Sequence, residues 1–144
     1  MADSGNPEST PAEARLQLLI HRFSRAAQAH HAALEALDAE RADTQARMLA
    51  TLHEALVSSG EQGLAKLLEL VTSSDPVVAG MAAVYSLHRD SVPCLATLRR
   101  IAQEPGLLGF RAGVAIERWE SGEWGGQVYP AVKLPGQNSV QIQG

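Results

Sequence analysis

The chain reads as an all-α protein: a short stack of about six antiparallel helices with a flexible leader before it and an extended tail after it. Three observations predict this. Alanine supplies 23 of the 144 residues and aromatics only 6, which suits closely packed helices and suits strand pairing poorly. Apolar residues recur at steps of three and four. Residues that open and close helices punctuate the chain between these stretches.

Residues 1–11 are rich in Ser, Pro, Gly and acids and read as a disordered leader. The helical domain spans residues 12–124, and its first cap lies just before it. Thr10 caps a helix with Pro11 at the first position and Glu13 three residues after the cap. This helix runs to about Leu37, with Leu16, Leu19, Ile20, Phe23, Ala27, Leu34 and Leu37 on one face. Asp38 marks a turn or a new cap. The second helix, about Ala39 to Ser58, places Ala42, Ala46, Leu49, Leu52 and Leu56 on its stripe, and Ser58-Ser59-Gly60 ends it. A shorter third helix, about Glu61 to Thr72, buries Leu64, Leu67, Leu68 and Val71. Asp75-Pro76 is the clearest helix start, an acidic cap directly before a proline, and the fourth helix follows to His88. The fifth runs from Ser91 to Gln103 and the sixth from Leu107 to Glu120, with Ser121-Gly122 as its stop.

From residue 125 onward, Val128, Tyr129, Val132, Leu134, Val140 and Ile142 are spread among Gly, Pro, Gln and Asn. A disordered tail, an arm on the body and a segment ordered by a partner are the alternatives. A mostly extended, weakly held tail is the favoured one.

Asp75-Pro76-Val77-Val78 to Ala82-Ala83-Val84 matches Pro105-Gly106-Leu107-Leu108 to Ala112-Gly113-Val114 at an offset of 30 residues. Helix pairs repeating at 20 to 50 residues mark α-solenoids, in which each pair buries a face on the next.

The chemistry-bearing residues do not assemble into a motif. His53-Glu54-Ala55-Leu56-Val57 opens like a zinc-protease helix, but Val57 stands where the second histidine is needed. His30 and His31 are adjacent, so their rings point about 100 degrees apart on a helix and share a metal poorly. They, with His21, His53 and His88, read as surface or partly buried helix histidines. Cys94, the single cysteine, reads as a small buried residue, and its solitude excludes an internal disulfide. No cofactor, metal or catalytic set is expected, and the protein reads as a non-enzyme. No stretch approaches the roughly 20 apolar residues that span a bilayer. With no signal peptide in the first residues, a cytoplasmic protein with no membrane association is expected.

Charge points to a protein partner. The net charge is −4. Arg99, Arg100, Arg111 and Arg118 are matched by Glu104, Glu117, Glu120 and Glu123, which argues against a nucleic-acid strip. Acids crowd the first helix junction and the region from Glu54 to Asp90. An acidic face of this kind steers a basic partner. Asp38, Glu40, Asp43, Glu54 and Glu61 are the candidate partner contacts, with Trp124 as an apolar anchor.

Several segments taken in order resemble a known family. These are Phe23 with Ala26-Ala27, Ala33-Leu34-Glu35 and Asp38; Gly63-Leu64 with Leu67-Leu68; Asp75-Pro76-Val77-Val78 with Ala82-Ala83; and Leu95, Leu98, Ile101-Ala102, Gly106, Phe110-Arg111-Ala112 and Trp119 with Gly122. Together they are similar to a bacterial HEAT-like family catalogued as domain of unknown function 2019. The resemblance covers about residues 12 to 124 and implies a small right-handed HEAT-like stack without catalytic residues. Ala79 stands where HEAT-type helices usually carry an arginine, so the usual buried polar contact between repeats is expected to be absent. Small acidic HEAT-like proteins also resemble the immunity proteins of bacterial polymorphic toxin systems. The resemblance therefore implies an inhibitor that binds and neutralises a cognate toxin. The alternative is a general adaptor or regulatory scaffold holding a peptide or protein in its groove.

Overall fold

A computed structural model describes residues 10–123, and these residues form six α-helices and no strand. They are α1 (Pro11–Glu35), α2 (Ala39–Ser58), α3 (Glu61–Glu69), α4 (Pro76–Ser86), α5 (Ser91–Ile101) and α6 (Gly106–Ser121), with one 3₁₀ turn, Leu70–Thr72, after α3. The leader before Thr10 and the tail from residue 124 lie outside the described residues, as does Trp124.

Local chemistry sets the helix starts. Thr10 and Glu13 form a reciprocal capping box, with Pro11 at the first helical position. The Glu13 amide donates to Thr10 Oγ1 at 3.0 Å. Asp38 caps α2 by accepting from the Arg41 amide at 3.1 Å. Asp75 caps α4 by accepting from the Val77 amide at 2.9 Å. Each cap satisfies an amide that the first helical turn leaves without a partner.

Two helix ends share one closing motif and differ in one residue. At the end of α6 the Glu123 amide donates to the Arg118 carbonyl at 3.1 Å and the Gly122 amide to the Trp119 carbonyl. Gly122 takes the left-handed conformation that this motif requires. At the end of α1 the Asp38 amide donates to the Ala33 carbonyl at 2.9 Å and the Leu37 amide to the Leu34 carbonyl at 3.0 Å. Here the left-handed position is held by Leu37, with φ 59°. Leu37 was expected on the buried face of the first helix. Instead α1 stops at Glu35 and the Leu37 side chain is 90% exposed.

A left-handed leucine costs about 1–2 kcal/mol relative to its ordinary conformations. Leu37→Gly is therefore expected to raise stability by about 0.5–1 kcal/mol, after the greater chain entropy of glycine is discounted. A rise in the urea midpoint checks it; an unchanged or lower midpoint contradicts it.

The core runs through all six helices. Leu16, Leu19, Phe23 and Ala27 of α1 are buried, as are Ala42, Ala46, Leu49, Leu52 and Leu56 of α2. The Phe23 ring meets Tyr85 of α4 edge-on at 5.6 Å. Helix α4 (PVVAGMAAVYS) has no charged residue and touches α1, α3, α5 and α6. A helix apolar on all sides is one that its neighbours enclose.

The 30-residue offset appears in the helix starts, Pro76 and Gly106, and in the buried pairs Ala79 and Gly109, Ala82 and Ala112, Tyr85 and Ala115. Ala79 is fully buried. Polar links between helices come from other residues: Gln28 Nε2 donates to Asp75 Oδ2 at 2.8 Å, and Thr97 Oγ1 donates to the Val71 carbonyl at 3.3 Å.

Candidate functional site

Two features stand out on the described surface: a corner between α1 and α2, and an apolar groove. The corner carries the exposed Leu37 side chain between two acid-bearing helix ends. Glu35 precedes it, and Asp38 and Glu40 follow, all exposed. Asp38 Oδ2 lies 3.8 Å from Arg41 Nε, so this carboxylate both caps α2 and faces a guanidinium.

The remaining candidate acids lie farther along the same element. Asp43 pairs with Arg47 one turn on. Glu54 is exposed near the other end of α2 and, with Glu40, has no ion pair among the described residues. Glu61 opens α3 and pairs with Arg89 at 2.5 Å. The hydrogen bond from Arg89 holds its carboxyl below the usual range. The 20 residues of α2 put about 30 Å between its ends at 1.5 Å per residue. The structure therefore brings Asp38, Glu40 and Asp43 together at one end and sets Glu54 and Glu61 apart at the other.

The groove has a volume of about 380 Å³ and lies among α1, α2, α4, α5 and α6. Leu34, Leu49, Val84, Leu108 and Val114 are among the apolar residues that line it. His30, Arg111 and Arg118 supply its polar groups.

Arg111 does not lie along a surface strip with Arg99 and Arg100. It turns inward to two adjacent histidines of α1. Its Nη1 lies 3.2 Å from His31 Nδ1 and its Nη2 lies 3.4 Å from His30 Nδ1. A guanidinium only donates, so both Nδ1 atoms accept and both rings carry their proton on Nε2. The histidines that share a metal poorly thus share a guanidinium.

The Nε2 atom of His31 faces Glu35 Oε2 at 3.3 Å. The Nε2 atom of His30 is buried with no hydrogen-bond partner among the described residues. Burial, then the charge of Arg111, then His31, push His30 down to about 4, so it is neutral at pH 7. Burial also lowers the pKa of Arg111. Both His30 and His31 are buried, where the sequence had suggested surface or partly buried positions.

The other reactive side chains are held by packing. Cys94 is fully buried, and burial pushes its thiol up to about 12. The His53 ring rests on Tyr85 at 4.6 Å, and that of His88 meets Trp119 at 5.3 Å. Arg99 pairs with Glu120 at 3.0 Å. Among the described residues, no group of three or more His, Cys, Asp or Glu is placed to hold a metal ion. No described helix is long and apolar enough to cross a membrane.

No protein-family model, no curated protein and no solved structure matches this chain.

Proposed function

We propose that the protein is a non-enzymatic binding module of HEAT-like build that neutralises a cognate bacterial toxin. The carrying observation is Leu37. A large apolar side chain is held in a costly left-handed conformation, almost wholly in solvent, with Glu35, Asp38 and Glu40 beside it. Costly backbone conformations concentrate where the held geometry is used. An apolar centre with a charged rim is the anatomy of a protein–protein interface. The acids at this corner and Glu54 farther along α2 give a basic partner a salt-sensitive approach.

The test is co-expression with the product of the neighbouring gene. The expected results are a stable complex and protection of the cell, both lost in Leu37→Gly even though that variant is the more stable protein. Glu40→Lys is expected to slow association about tenfold at low salt. Absence of both complex and protection with the native chain refutes the reading. Full protection by Leu37→Gly removes the corner from the interface.

A further inference from the structure

The groove has a polar wall that its apolar lining does not account for. Arg111 is a cation whose two direct partners are imidazoles, and His30 is neutral at neutral pH. The nearest carboxylate in this chain of contacts, Glu35, reaches Arg111 only through His31. Three of the five guanidinium N–H groups have no acceptor among the described residues. A second cation, Arg118, lies seven residues further along α6 and lines the same groove. Its side chain has no ion pair among the described residues. The His30 ring also lines the groove, is 3% exposed, and holds an N–H on Nε2 without a partner.

Guanidinium donors on a largely apolar wall gain from an anionic acceptor. Two guanidinium groups lining one groove ask for an anionic group, and a carboxylate meets a guanidinium in forked geometry. The rest of the cavity asks for hydrocarbon. Its volume, about 380 Å³, falls in the range of about 300–1,000 Å³ typical of small-molecule sites.

From this juxtaposition we infer that the groove is a binding site for a small apolar monocarboxylate, with its head on Arg111 and Arg118 and its chain along Leu34, Leu49, Val84 and Leu108. Charge complementarity selects the acid over the alcohol or amine of the same length. The site is separate from the Leu37 corner, and neither reading needs the other.

Calorimetric titration of the full-length protein with sodium octanoate tests the assignment, with 1-octanol and octylammonium as the matched probes. Octanoate is expected to saturate a single site at least about tenfold more tightly than either, the equivalent of one charge-assisted contact. Arg111→Met is expected to lose that preference. Arg118→Gln, at a side chain with no ion pair to lose, is expected to weaken octanoate several-fold with the circular dichroism spectrum unchanged. It keeps the test decisive if Arg111→Met does not fold. Equal binding of acid and alcohol overturns the assignment, as does absence of saturation by octanoate. Octanoate binding unaltered in Arg118→Gln and in folded Arg111→Met overturns it too. Binding of a leucine-rich tetrapeptide with a free C-terminus, where octanoate fails, also overturns it, by giving the groove to a partner's chain end.

Discussion

Gly109→Ala is expected to destabilise the protein by about 3 kcal/mol, at the upper end of the cost of overpacking. The methyl carbon would stand 1.8 Å from the Glu104 carbonyl oxygen and 3.2 Å from that of Ala102. Both are backbone atoms of the turn that feeds α6, so no side chain can swing aside. The same substitution four residues on has the opposite sign. A methyl group at Gly113 meets nothing within 4 Å, and alanine in a helix interior gains about 0.5–1 kcal/mol over glycine. The unfolding midpoint of Gly109→Ala should fall by roughly 10 °C while that of Gly113→Ala rises by a few degrees. An unchanged or raised midpoint in Gly109→Ala would show that the close approach is not what holds glycine at 109. Gly63, whose methyl would lie 2.1 Å from the Leu56 carbonyl oxygen, repeats the arrangement where α3 meets α2.

A second large effect is expected from acid. His30 titrates at about 4 in the folded protein, against about 6.5 in the unfolded chain. Between these values the unfolded chain binds more protons, so stability rises with pH. The contribution is complete above about pH 6.5 and is lost progressively as the pH falls towards 4. Allowing for solvent screening, its size is on the order of 2 kcal/mol. Arg111 and His31 face the same ring, and Glu35 faces His31, so the comparison must remove His30 alone. His30→Asn keeps an acceptor towards Arg111 and removes the titration. Urea midpoints at pH 5.0 and pH 7.5 should differ less in His30→Asn than in the native protein. An identical difference in the two proteins would sink the assignment.

How much of this was legible follows from how far each interaction reaches along the chain. Thr10, Asp38 and Asp75 act within three residues of themselves, so their caps can be read directly. The α2 stripe is legible because one helical period fixes which residues face inward. Leu37 is not legible: the closing motif expects glycine there, and a leucine at a step of three from Leu34 reads as one more core residue. The cluster at Arg111 joins residues 80 and 81 positions apart, beyond any local pattern. A signal was nevertheless present, since His30 falls on the Phe23, Ala27, Leu34 stripe at steps of three and four. Likewise, Glu61 looks free until the fold brings Arg89, 28 positions on, alongside it, whereas Asp43 and Arg47, four apart with the acid first, are a pair that helix spacing alone predicts.

The enclosed position of α4 has a consequence for synthesis. Its partners α1 and α3 precede it in the chain, and α5 and α6 follow. Chains form their N-terminal parts first, so α4 leaves the ribosome with only half of its cover already made. An eleven-residue segment without a charge then waits for the next thirty-five residues. In that interval it is the stretch a chaperone would grip and the one from which aggregation would start.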